Sequence, residues 1–241
     1  MTEKLRTLVT GVASGIGHSV ANSLRERGDT VFGVDNQSGA GWMQADLAIP
    51  SERQRIVETA LKELGGIDVL VNVAGVFRPT PFGSSTLEDW RSLWSVNLDA
   101  PLELMSLVFE SMKTQAFGRV VNITSIHAKF SRQDCLAYDV GKAGLEAATR
   151  SFALAGADYG ILANSIAPGF VRTKMSLNEQ GIDEADTQEF RVQYVESGRL
   201  PLGRASEPGE VAEAVLWLSG TSNSYVTGQS LTVDGGLTAT F

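Results

Sequence analysis

The sequence predicts an α/β protein: one domain built on a doubly wound parallel sheet of about seven strands, with helices on both faces. Three observations predict it. Short apolar, β-rich runs alternate with longer helical stretches, the order of successive βαβ units. One such run, IDVLVNVA at 67–74, is apolar almost throughout, as a strand covered on both faces must be. The first run ends in a glycine-punctuated turn, TGVASGIG at 10–17, that leads directly into a helix.

Residues 5–10 form the first strand, stopped by Gly11. A helix follows over 15–27, with Val20 and Leu24 on one side and Arg25, Glu26 and Arg27 at its end. The second strand is 30–35 and a weaker third is 42–47. The link 36–41 between them is shorter than the dozen or so residues a parallel crossover needs, so a bare loop or a short third strand is expected. Pro50 opens a helix reaching about Leu64, and 67–74 is the fourth strand. Residues 86–113 are helical, with a break near Pro101. Strand 119–124, the Ala-rich helix 136–159 and strand 161–167 follow, closed by Pro168 and Gly169. A helix over 207–218 and a short strand at 231–233 complete the pattern. No repeat or linker divides residues 1–241, and the irregular segment 174–200 reads as a substrate lid.

At 241 residues, with 43% hydrophobic and 20% charged residues, the chain has ordinary globular usage. Its formal net charge of −8 disfavours nucleic acid and anionic membranes as partners. A single cysteine, Cys135, excludes an internal disulfide framework and a Cys-rich metal site, and no metal is expected. No apolar run is long enough to span a membrane, and the N-terminal residues lack an apolar leader. A cytoplasmic protein is expected.

The glycine turn has the spacing G-x-x-x-G-x-G through Gly11, Gly15 and Gly17, with Ser14 and Ile16 between them. Glycines let a backbone approach a pyrophosphate, and the N-terminus of the following helix offers N–H donors and partial positive charge. A glycine turn also serves packing alone. Asp35, at the end of the second strand, sharpens the reading. A carboxylate there can bond both ribose hydroxyls of an adenosine and would repel a 2′-phosphate. Neither Asn36 nor Gln37 supplies a cation. NAD is therefore expected rather than NADP. Asp46 and Leu47 end the third strand, where a carboxylate can meet the adenine amino group.

Tyr138 and Lys142 are spaced i, i+4 and share one helix face. A nearby ammonium favours the phenolate, so the Tyr138 pKa is expected to fall towards neutrality. Ser125 follows the strand 119–124 at the carboxyl end of the sheet, where open α/β folds bind ligands. Asn97 is a polar residue in an apolar helical stretch, and taken alone it reads as a satisfied buried amide.

Together TGVASGIG at 10–17, NVAG at 72–75, Asn97, Ser125, YDVGK at 138–142, PGFVRT at 168–173 and VDGG at 233–236 resemble the short-chain dehydrogenase/reductase family, in its compact classical-type subfamily. The motifs run in the family's order over nearly the whole chain. The resemblance implies a Rossmann fold with Tyr138 as general acid/base and Lys142 lowering its pKa while holding the nicotinamide ribose. It implies Ser125 on the substrate oxygen and Asn97 holding a water that links Lys142 to solvent. Asn72, Ala74 and Gly75 would line the adenosine side. Pro168, Gly169, Val171 and Thr173 would grip the nicotinamide end. One departure is Val73, where the family usually has a second asparagine, which puts a turn between sheet and cofactor in doubt.

Substrate choice is expected from 126–137, 76–85 and 174–200. The last is rich in polar residues: Asn178, Glu179, Gln180, Asp183, Gln188, Glu189, Arg191, Gln193 and Glu196. With His127 and Arg191 facing the pocket, a small polyhydroxylated substrate is expected, a sugar or polyol oxidised with NAD. The pattern Ser-x-His followed by Tyr-Asp is similar to aldose and polyol dehydrogenases of the family. The alternatives are a 3-oxoacyl-[acyl-carrier-protein] reductase, a cyclic diol dehydrogenase and, outside catalysis, a dinucleotide sensor. By resemblance a homotetramer or homodimer is expected.

Overall fold

The computed structural model describes residues 4–239. The N-terminal residues 1–3, part of the stretch read as lacking an apolar leader, lie outside them. The strands are β1 (Arg6–Thr10), β2 (Thr30–Asp35), β3 (Met43–Gln44), β4 (Val69–Asn72), β5 (Gly118–Ile123), β6 (Ile161–Pro168) and β7 (Ser230–Val233). They form one parallel sheet in the order β3-β2-β1-β4-β5-β6-β7. The chain starts in the middle of the sheet, winds out to β3, then returns to place β4 beside β1. That reversal opens a crevice at the carboxyl ends of β1 and β4, where ligands bind in such folds.

The helices are α1 (Gly15–Arg27), α2 (Pro50–Leu64), α3 (Leu87–Trp94), α4 (Ala100–Gln115), α5 (Leu136–Gly156), the short α6 (Gln188–Phe190) and α7 (Pro208–Ser219). Strand side chains alternate between two cores because successive Cβ atoms point to opposite faces. Leu8, Leu70 and Val120 join Ile56, Leu104, Met105, Val108 and Leu145 on the face of α2, α4 and α5. Val9, Val69, Val71 and Val121 join Val20, Leu24, Val211 and Val215 on the face of α1 and α7. The expected doubly wound sandwich is thus present. Among the described residues no helix is long and apolar enough to cross a membrane.

One expectation about the elements is corrected, and another, the break near Pro101, is located more closely. The third strand is Met43–Gln44 rather than 42–47, paired on one side only. It sits at the sheet edge after a bare loop, and Trp42 turns its indole Nε1 back to the Gln37 carbonyl at 2.9 Å. Asp46 and Leu47 therefore lie past the strand, in the turn before α2. The break in the long helix is not centred on Pro101. It is a widened turn at Ser95–Asp99, and Pro101 sits in the first turn of α4. Proline lacks an N–H and its ring would strike the carbonyl four residues back, which is Asn97, so the ladder loosens upstream of the ring.

Candidate active site

The glycine turn is held from both sides. Gly11 has φ +77°, its N–H donates to the Val34 carbonyl at 2.7 Å, and a Cβ there would lie 3.0 Å from the Ala74 backbone. A side chain at Gly17 would lie 1.9 Å from the Gly11 carbonyl oxygen, and one at Gly15 would press on Thr173 at 3.1 Å. Ser14 caps α1 in an extended conformation, yet its hydroxyl makes no capping bond. The first N–H groups of α1 thus lack an intrahelical or capping acceptor and face the crevice, a setting suited to an anion. Thr10, which sequence reasoning passed over, supplies an acceptor that fastens the second loop. Its Oγ1 takes the N–H groups of Val73 and Ala74 at 3.0 and 3.1 Å. Val73 in place of asparagine leaves that turn anchored, because the bonds come from its backbone.

Asp35 is buried at the tip of β2, where its two oxygens accept from the Ala13 and Gln37 N–H groups at 3.0 and 2.9 Å. Asp46 is exposed and accepts from the Ala48 N–H at 2.9 Å. Leu47 buries its side chain in the core, and its carbonyl takes the Arg53 Nε at 2.7 Å, so its side chain is not at the surface of the crevice. Asn72 is likewise not on the crevice wall. Its Nδ2 donates inward to Asn122 Oδ1 at 2.8 Å, because β4 is covered on both faces.

Ser125 follows β5 and caps the turn Ile126–Ala128, its Oγ accepting from the His127 N–H at 3.1 Å. Tyr138 and Lys142 stand in the first turns of α5. Two contacts fix that helix start, the Trp94 indole N–H to the Ala137 carbonyl at 2.8 Å and the Ala137 N–H to Thr80 Oγ1 at 3.1 Å. Thr80 and Trp94 carry no local signal in the sequence, since both act across long separations. Asn97, in the widened turn, clamps the Val76 backbone with both ends of its amide, at 2.9 and 2.8 Å. Each of its polar atoms retains room for only one further bond, so the implied water would have to share it. Around Gly75 the groups converge: a Cβ there would lie 3.2 Å from Asn97 Oδ1 and 3.5 Å from Lys142 Nζ.

The expected fall in the Tyr138 pKa does not occur in this state. Burial pushes the phenol up to about 12, and the hydrogen bond with Ser125 only partly opposes this while Asp139 adds to it. Burial also brings Lys142 down to about 8. The ammonium donates to the Ile123 carbonyl at 2.8 Å and lies 5.6 Å from the phenol ring centroid. Desolvation is the largest cause of both shifts, and Nζ is engaged with the backbone. Ligand-free protein compared with Tyr138→Phe by phenolate absorbance is expected to show no Tyr138 ionisation below about pH 10. Ionisation near neutrality would contradict this geometry.

A cavity of about 630 Å³ opens over these residues. Ile16, Gly75, Ser125, His127, Tyr138 and Lys142 line it together with Pro168, Gly169, Val171 and Thr173. The segment 174–200 closes one side and is anchored by Phe170, Phe190 and Tyr194, whose ring centroids lie 4.7–5.1 Å apart. Of the nine polar residues singled out there, only Gln193 reaches the cavity. Arg191 does not. Its guanidinium is exposed and pairs outward with Glu196 at 2.9 Å, because the turn of helix Arg191–Glu196 puts Tyr194 inside instead. Arg132, Arg199 and Glu184 reach the cavity instead, none marked by spacing. A further grouping was unexpected: ligand atoms of His127, Cys135 and Asp139 lie within 4.8 Å of one another.

The site fits a nicotinamide dinucleotide on three grounds: the open N–H groups of α1, the glycine cradle that a Cβ would fill, and the carboxylate of Asp35 at one end with a roomy cavity at the other. A family model described as enoyl-(acyl carrier protein) reductase matches residues 11–238. The chain is 32% identical over 247 residues to the acetoacetyl-CoA reductase of Allochromatium vinosum, covering 95% of this chain and 97% of that one. It is 31% identical to a 3-oxoacyl-[acyl-carrier-protein] reductase of Vibrio cholerae, covering 95% and 96%. The ligand-free aldohexose dehydrogenase of Thermoplasma acidophilum superposes with a TM-score of 0.89 at 27% identity, over 99% of this chain and 96% of that one. The motif order, the seven-stranded sheet and these matches agree that the chain belongs to the classical short-chain dehydrogenase/reductase family, oxidoreductases that act on CH–OH or keto groups with nicotinamide cofactors.

Proposed function

We propose that the protein is an NAD-dependent oxidoreductase acting on a secondary alcohol or hemiacetal carbon of a small polyhydroxylated substrate, such as a sugar or polyol. The observation that carries this is one cavity lined by Ser125, Tyr138 and Lys142 together with Pro168, Gly169, Val171 and Thr173. Gly11, Ser14, Gly15, Ile16 and Gly17 would hold the pyrophosphate, and Asp35 the adenosine ribose. When bound, the dinucleotide supplies the hydride chemistry. The Ser125 hydroxyl accepts from the His127 backbone N–H and is hydrogen-bonded to the Tyr138 phenol, so a substrate oxygen would take the Ser125 proton by entering between the two hydroxyls. With its pKa raised, the Tyr138 phenol carries its proton at neutral pH and gives it to a carbonyl oxygen in reduction. In oxidation the phenolate must form first, and the Lys142 ammonium is the group placed to favour it. Asn97 holds the 75–76 turn against Lys142. The same reading makes 174–200 a lid and the protein a cytoplasmic homotetramer or homodimer.

A second reading, reduction of a 3-oxoacyl thioester, is favoured by Arg132 and Arg199 at the cavity and by what two of the relatives act on. Steady-state kinetics with NAD and NADP over aldoses, polyols and 3-oxoacyl thioesters separates the two. The expected result is turnover of a polyol or aldose with NAD. Preference for NADP with acyl thioesters selects the second reading. Tyr138→Phe is expected to lower turnover by about 10³-fold while NAD still binds, which distinguishes an enzyme from a sensor.

A further inference from the structure

His127 and Asp139 form a pair that the catalytic roles above leave unused. His127 Nδ1 lies 2.7 Å from Asp139 Oδ1. Asp139 is 8% exposed, in the first turn of α5 and next in sequence to Tyr138. The imidazole stands edge-on to the Tyr138 ring at 5.5 Å and lines the cavity, and its backbone N–H is tied to Ser125 Oγ. A carboxylate can only accept, so the proton of this bond must sit on Nδ1. In a neutral ring Nε2 is then a bare acceptor, the one polar atom of the ring left for a ligand in the cavity.

The geometry points to a specificity device. Asp139 fixes His127 in the Nδ1–H tautomer, so that Nε2 accepts the hydrogen bond of a hydroxyl on the carbon next to the reacting carbinol. This rests on the proposed function and narrows its substrate to a vicinal diol, or to the α-hydroxy ketone in the reverse direction. The placement follows from two contacts. Ser125, which would hold the reacting oxygen, is bound to the His127 backbone, and the imidazole borders Tyr138. A second oxygen one carbon from the first therefore faces the ring. Asp139 is a positioning residue, acting only through His127.

Two measurements test it. The chain has two histidines, His18 and His127, so nitrogen NMR of the imidazoles with His18→Gln assigns both. An Nδ1–H ring with a bare Nε2 is expected for His127, changing to Nε2–H in Asp139→Ala. An Nε2–H or doubly protonated ring in the wild type overturns the proposal. With NAD, trans-cyclohexane-1,2-diol is compared with cyclohexanol. Asp139→Ala and His127→Phe are expected to lower kcat/KM for the diol about 10–100-fold more than for the mono-alcohol. Asp139→Asn, which keeps an acceptor oxygen for Nδ1–H, is expected to restore most of the preference. Equal losses on the two alcohols mean a purely structural pair and overturn the proposal. Absence of turnover with both alcohols would instead sink the proposed NAD-dependent polyol reading, and the tautomer would still decide the pair.

Discussion

Lys142→Met is expected to abolish turnover, by about 10³-fold or more, and at the same time to make the protein more stable. The two effects share one cause. Lys142 is 3% exposed and burial has brought its pKa down from 10.5 to about 8, so below pH 8 the fold holds a buried cation at a cost. Methionine fills a similar volume without charge. The gain is up to about 3 kcal/mol below pH 8, less what the Ile123 carbonyl loses as a hydrogen-bond partner. Its pH dependence follows from the direction of the shift. Between pH 8 and 10.5 the unfolded chain holds more protons on this lysine than the folded one, so the wild type gains stability as pH rises. The advantage of Lys142→Met is therefore full below pH 8 and gone above about 10.5. Denaturant unfolding of both proteins from pH 7 to 10.5 measures it. An advantage independent of pH would mean that packing, not charge, separates the two proteins.

Gly17→Ala is expected to be among the most damaging single-methyl changes in the chain. The added carbon would meet the Gly11 carbonyl oxygen at 1.9 Å and its carbon at 2.6 Å, both backbone atoms of the turn that faces the crevice. No flexible side chain can yield there. Either α1 moves away from β1 or the turn unwinds, at about 3 kcal/mol or more, which lowers Tm by roughly 10 °C in a chain of this size. Dinucleotide binding, measured by calorimetry, is expected to be lost with it. Gly209→Ala is the control. It lies in the first turn of α7 with nothing within 4 Å of its Cβ, so helix propensity makes it neutral or stabilising by up to about 1 kcal/mol. Equal Tm values for the two alanine variants would show that the close approach of α1 to the turn is not needed.

The fold was legible in the sequence because its signals are local. Apolar runs such as 67–74 mark strands buried on both sides, and the prolines at 50 and 208 mark helix starts. The weakest strand assignment, 42–47, failed at the edge of the sheet, where pairing on one side no longer enforces a strand. The candidate site was legible where a motif is its own geometry. Tyr138 and Lys142 share a face because four residues make about one helical turn, and Gly11, Gly15 and Gly17 share a turn for the same local reason.

What the sequence by itself determined is the order of strands and helices, the glycine cradle at the end of β1, and the pairing of a phenol with an amine on one helix. Only the tertiary structure decided that Asn72 turns inward to Asn122, that Arg191 faces solvent while Arg199 reaches the cavity, that Asp139 holds His127, and that burial raises Tyr138 rather than lowering it. Each of these depends on which distant segments meet and how much water they exclude. Spacing along a chain records which side chains can share a face. It does not record what that face is packed against, and the packing sets both the partner of a polar group and the free energy of its charge.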